Sequence, residues 1–136
     1  QIEDYNYSFS GLKTSILYFL QKEVAKQTDF VEANRDDLCA SIQRTIISIL
    51  LEKLEKAASD LNIHHIAIAG GVSANSLLRS ELLHREKTLG WKTYIPSFEF
   101  CTDNGAMIAI TGYYRYQEGN FADMSIKAEA RKFIVE

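Results

Sequence analysis

One segment constrains the fold of this 136-residue sequence more than any other: Ile66-Ala67-Ile68-Ala69-Gly70-Gly71-Val72-Ser73-Ala74-Asn75. A short apolar run from His64 to Ala69 ends in two glycines and passes straight into helix-forming sequence. Such a run reads as an inner strand covered on both faces. Ser73 offers a capping hydroxyl for a following helix that carries Leu77, Leu78, Leu82 and Leu83. Lys92 to Ile95 is a second short strand, closed by Pro96. Strand, helix and strand in that order specify a parallel pair joined by a right-handed crossover, and hence an α/β class.

The rest of the chain adds helices around this unit. Asp4 to Phe9 alternates Tyr5, Tyr7 and Phe9 with Asn6 and Ser8, the period of two expected of a half-buried strand. Ser10 then offers a cap for a helix with Leu12, Ile16, Leu17, Phe19, Leu20 and Val24 on one side. Asn34-Arg35-Asp36-Asp37 opens a second helix, its acidic residues suiting the positive end. Leu38, Ile42, Ile46, Ile49, Leu50, Leu54 and Ala57 make a stripe wide enough to bury that helix on more than one side. Thr102-Asp103 starts a last helix through Met107, Ile108, Ile110 and Tyr114, with Gly119 as its stop. Three strands are a narrow sheet for helices this apolar, so further strands are expected elsewhere. The start, Gln1-Ile2-Glu3-Asp4, looks like the middle of something longer.

Composition removes several classes of function. The chain is 46% hydrophobic and 24% charged, within the globular range, so disorder and collagen are excluded for the whole. A net charge of -3 argues against a domain that holds nucleic acid through its own phosphate contacts. Any such role needs a local patch, for which Arg79, Arg85, Lys87 and Lys92 are candidates, or other parts of an assembly. The two cysteines, Cys39 and Cys101, form neither a zinc motif nor a disulfide framework and suit a reduced, cytoplasmic setting. No apolar run approaches the roughly 20 residues of a membrane span. Ile42 to Leu54 is interrupted by Gln43, Arg44, Glu52 and Lys53.

Two stretches could carry chemistry. At Gly70-Gly71 the backbone can approach a ligand closely, and the helix start beyond presents N–H groups with partial positive charge. That suits a phosphate, or the ribose and base of a nucleotide; the alternative is a tight turn and no more. Asn75, in the first helical turn, can both donate and accept. In Phe100-Cys101-Thr102-Asp103-Asn104, a carboxylate at the entry to a helix is either a cap or a ligand at the mouth of a cleft above the sheet edge. A metal needs more ligands than Asp103 alone. His64 and His65 are adjacent on a strand and face opposite ways, and His84 lies on a helix surface. A catalytic Cys101 would need a base that the sequence does not identify.

Taken together these stretches resemble one family. Tyr7-Ser8-Phe9-Ser10-Gly11-Leu12-Lys13-Thr14, then Ala69-Gly70-Gly71-Val72-Ser73-Ala74-Asn75, then Phe100 through Ala109 are similar to three C-terminal motifs of the tRNA threonylcarbamoyladenosine transferases (TsaD in bacteria, formerly O-sialoglycoprotein endopeptidase or glycoprotease). Asn75 and Asp103 lie 28 positions apart, as in that family's pattern. The resemblance implies an actin-like ATPase (ASKHA) fold, of which residues 1–136 would be most of the second, C-terminal lobe. That lobe would have three or more strands flanked by helices. It also implies transfer of threonylcarbamoyl from threonylcarbamoyl-AMP to the adenosine 3′ of a tRNA anticodon.

The family's asparagine at Asn75, with Gly70 and Gly71, implies contact with the nucleotide, ATP or threonylcarbamoyl-AMP. The aspartate at Asp103 implies one ligand of a divalent metal, iron or zinc, whose two histidines lie upstream; this sequence holds no His-x-x-x-His pair. Implied partners are tRNA and other subunits of a threonylcarbamoyl-transfer complex. A non-catalytic nucleotide-binding or scaffold lobe of the same fold is the competing reading. The old protease description finds no HExxH and no arguable Ser-His-Asp set. A fragment of this kind should be inactive alone and should self-associate through an uncovered edge or apolar patch.

Overall fold

A computed structural model describes residues 5–127. The order is α1 (Phe9–Val24), α2 (Phe30–Ala33), α3 (Arg35–Asp60), β1 (His65–Ala67), a 3-10 turn (Gly71–Ala74), α4 (Ser76–Leu89), β2 (Lys92–Tyr94), a second 3-10 turn (Phe98–Phe100) and α5 (Gly105–Gln117). The described chain is mostly helical around a small parallel sheet. His65, Ile66 and Ala67 pair with Lys92, Thr93 and Tyr94. The Lys92 amide donates to the His64 carbonyl and the Ile68 amide to that of Tyr94, closing the ladder at its two ends. β1, α4 and β2 are thus the parallel strand–helix–strand unit expected from the Gly-Gly segment.

The core sits between α3, β1 and α4. Ile47, Leu51 and Ala58 from α3 meet Ile66, Leu78, Leu82 and Trp91, with Leu82 fully buried. The spacing of Ile47, Leu51 and Ala58 is that of one helix face. The fully buried face is therefore rotated from the anticipated stripe. Leu38, Ile42 and Ile46 are only half-buried, walling two grooves on either side of α3.

The sheet has two strands among the described residues, not three or more. The strand expected at Asp4 to Phe9 does not form among the described residues 5–9. Asp4 lies outside the described residues, Asn6 to Ser8 carry no regular structure, and Phe9 already opens α1. The alternation has another cause. Tyr7 and Phe9 stack at 5.9 Å, and Tyr7 Oη donates to the Leu50 carbonyl while Tyr5 Oη donates to Asp60. The two tyrosine hydroxyls tether the segment to α3, and burial pushes the Tyr7 phenol up.

Capping also differs from expectation. α1 begins one residue before Ser10, which shares its hydroxyl with Ser8. Asn34 precedes α3, but its side chain donates back to the Phe30 carbonyl. Helix ends followed the sequence more closely. At Gly119, φ is 68°, its amide donates to Tyr116 and that of Asn120 to Arg115, the paired bonds of a Schellman stop. Asn62 does the same work at the end of α3, with φ 52°.

Candidate functional site

The chain leaves β1 at Ala67 and reaches Gly70, where φ is 79° and ψ 175°. This region is essentially open only to glycine, so the turn requires a residue without a side chain here. Gly71 then enters the 3-10 turn. Ser73, 1% exposed, donates both its hydroxyl (2.6 Å) and its amide (3.0 Å) to the Gly70 carbonyl. Ser73 therefore locks the turn and does not cap α4.

Asn75 is the cap. Its Oδ1 accepts from the Leu78 amide at 3.0 Å, and its Nδ2 donates to Gln43 Oε1 on α3 at 2.9 Å. One amide thus ends the turn, starts the helix and ties both to α3. The amides of Ser73, Asn75 and Leu78 all have acceptors within the turn. Part of the expected N–H cradle is consequently spent internally.

Below this turn lies an open cleft of 640 Å³. Ile42, Ile46 and Ile47 of α3 face Gly71, Val72 and Ala74, and the Gln43–Asn75 pair supplies polar groups at its wall. Apolar walls with few convergent polar groups are the usual make-up of a small-molecule site. Of the residues singled out in the sequence, Gly71 and Asn75 line the cleft; Gly70 shapes the turn above it, and Asp103 is not part of the lining.

Asp103 is exposed on the loop between Cys101 and α5. The cap of α5 is Asn104, whose Oδ1 accepts from the Met107 amide at 3.1 Å while its Nδ2 donates to the Thr102 carbonyl. The helix-cap reading of Asp103 is thereby removed. Among the described residues no hydrogen bond engages its carboxylate, and no three His, Cys, Asp or Glu side chains gather as a metal site. His64 pairs with Asn62, and His65 stacks on Tyr94 with Nδ1 3.0 Å from its hydroxyl. Cys101 is buried and donates to the Ser97 carbonyl.

Two of the basic candidates are committed elsewhere. Arg79 bonds the carbonyls of Ser73 and Pro96. Arg85 pairs with Glu55 and Glu81, each at 2.6 Å. Burial works to lower the Arg85 pKa, but those two carboxylates leave it raised. Lys87 and Lys92 are exposed.

Sequence reasoning missed Gln43 and the role of Arg79. Each had a signal. Gln43 is a polar residue set between Ile42 and Ile46, and Arg79 follows Leu78 on the helix side that Leu82 buries.

Comparison with known proteins agrees with the motifs. Residues 1–110 match the family model TsaD, tRNA N6-adenosine threonylcarbamoyltransferase. A protein of that name from Riemerella anatipestifer is 60% identical over 131 residues, covering 96% of this chain and 38% of the relative. One from Christiangramia forsetii is 51% identical over 131 residues with the same coverage, and one from Thermosipho africanus is 45% identical over 126 residues, covering 93% and 37%. The chain thus spans little more than a third of the length of these relatives. Family match and identity at this level leave one assignment: the chain belongs to the tRNA N6-adenosine threonylcarbamoyltransferase family.

Proposed function

We propose that the chain is most of the C-terminal lobe of an actin-like tRNA N6-adenosine threonylcarbamoyltransferase, and that the cleft beneath the Gly70-Gly71 turn seats the adenosine end of threonylcarbamoyl-AMP or ATP. The observation that carries this is the joint placement of Gly71 and Asn75 on one apolar-walled cleft. Ile42, Ile46 and Val72 would flank the base. The second Nδ2 proton of Asn75, or the amide freed by displacing Gln43, would bond ribose or base. In the whole protein the adenosine N6 of tRNA attacks the carbamoyl carbon. A C–N bond forms, the C–O bond to the phosphate breaks, AMP leaves with the electron pair, and N6 loses a proton to solvent. This lobe holds the AMP end in place during that exchange.

Asp103 fits one ligand of a divalent metal, iron or zinc, since its oxygens have no competing hydrogen bond among the described residues. The other ligands would come from beyond this chain. When bound, such an ion supplies positive charge beside the carbamoyl and phosphate oxygens. The names of the relatives support tRNA as the substrate. Other subunits of a transfer complex, and self-association of the isolated lobe, belong to the same proposal. No described helix is long and apolar enough to cross a membrane, and the two free cysteines suit the cytoplasm.

The test is incubation of the full-length protein, with its partner subunits, threonylcarbamoyl-AMP and tRNA, followed by mass spectrometry of the nucleosides. Formation of threonylcarbamoyladenosine is expected. Nucleotide binding without any transfer would replace the enzyme reading with that of a scaffold lobe.

A further inference from the structure

Arg79 lies one turn into α4, and its side chain runs back over the helix start. Its Nη1 donates to the Ser73 carbonyl at 2.9 Å and its Nη2 to the Pro96 carbonyl at 2.8 Å. The guanidinium carbon sits 4.3 Å from the centre of the Phe98 ring, and Nη1 is 3.9 Å from Cys101 Sγ. On one side, Ser73 is bonded twice to the Gly70 carbonyl. On the other, Cys101, 2% exposed, bonds the Ser97 carbonyl two residues before Asp103. The strand ladder ends at the bond from the Ile68 amide to the Tyr94 carbonyl. Beyond it, Arg79 joins the two connections through the Ser73 and Pro96 carbonyls.

We propose that Arg79 is a positioning residue, setting the distance and orientation of the Gly-Gly turn relative to the loop that carries Asp103. The guanidinium is a rigid planar fork with a face that stacks on an aromatic ring. It meets two carbonyls and the Phe98 ring at once, which a lysine ammonium on a flexible stem does not. The inference rests on the nucleotide-side reading of the turn given above.

The experiment uses the full-length protein with Arg79→Ala and Arg79→Lys, and Leu82→Ala as a destabilised control. Hydrogen exchange is followed in peptides covering 69–76 and 96–104. Both segments should exchange at least tenfold faster in each Arg79 variant, with protection of 47–58 kept. kcat should fall at least tenfold at a folded fraction matching the wild type, and methylguanidinium should restore part of it to Arg79→Ala. Should Arg79→Ala not fold, Arg79→Lys, which keeps stem and charge, gives the same readings. Unchanged exchange, faster exchange in only one segment, or a kcat loss that tracks unfolding as in Leu82→Ala would overturn the proposal. If the wild type transfers nothing, the transferase reading fails while the exchange result still decides the role of Arg79.

Discussion

Gly70 and Gly71 are neighbours with different reasons for being glycine. A Cβ at either would meet no heavy atom within 4 Å, but only Gly70 has a positive φ, 79°. Gly70→Ala should therefore cost about 1–3 kcal/mol through backbone strain, read as a lower melting temperature. Gly71→Ala should melt close to the wild type, so any loss of nucleotide affinity there reports on the cleft it lines. A melting temperature that falls equally in both variants would contradict this distinction. Asn75 can be divided in the same way. Asn75→Ala removes the cap of α4 and should cost about 0.5–2 kcal/mol. Asn75→Asp keeps an acceptor for the Leu78 amide, next to a helix end that favours negative charge, and loses only the donor.

The elements show which parts of the fold were legible and why. The β1–α4–β2 unit was readable because a short apolar run, a glycine that tolerates positive φ and a leucine-bearing helix all point to one arrangement. At residues 5–9 the alternation does not mean a strand, because period-two aromatics also occur where tyrosine hydroxyls reach a neighbouring helix, as Tyr5 and Tyr7 do on α3. The caps slipped by a residue or two for a related reason: Asn75 and Asn104 outcompete Ser73 and Asp103, and only the backbone path decides between them. In the site, Asn75 and Gly71 were legible as a motif, whereas Gln43 and Arg79 depend on contacts across helices. β2 carries a pH-dependent tie. The half-buried Glu86 accepts from the Thr93 amide at 2.7 Å, and that bond holds its carboxyl below the ordinary 4.5. A lowered folded pKa gives a contribution that is complete above 4.5 and fades as pH falls through the folded value. The Thr93 amide resonance should follow Glu86 with a midpoint below 4.5 and stop titrating in Glu86→Gln. A Thr93 resonance indifferent to acid would show that the bond is absent in solution.

At the scale of the molecule, the accessible surface is the informative quantity. The chain exposes 11314 Å², whereas a compact monomer of 15.4 kDa exposes about 7,200 Å². α1 and α5 bury no residue, and Leu17, Phe19, Met107, Ile108, Ile110 and Tyr114 are exposed. These faces, not a strand edge at 5–9, are where the isolated chain should associate, burying roughly 1,000 Å² or more if the contact is specific. Light scattering at high concentration should give more than the monomer mass; a clean monomer without a dye-binding apolar patch would contradict this. The relative from Riemerella anatipestifer is about two and a half times as long as this chain, and a protein of that length would have further parts to cover these faces.

On the proposed function, the cleft under the Gly-Gly turn seats the nucleotide of the transfer reaction. This is tested most directly by the KM for threonylcarbamoyl-AMP in tRNA modification by the full-length protein and its partner subunits, wild type against Asn75→Asp. KM should rise at least tenfold in a variant that melts within a degree or two of the wild type; an unchanged KM would show that the nucleotide binds elsewhere.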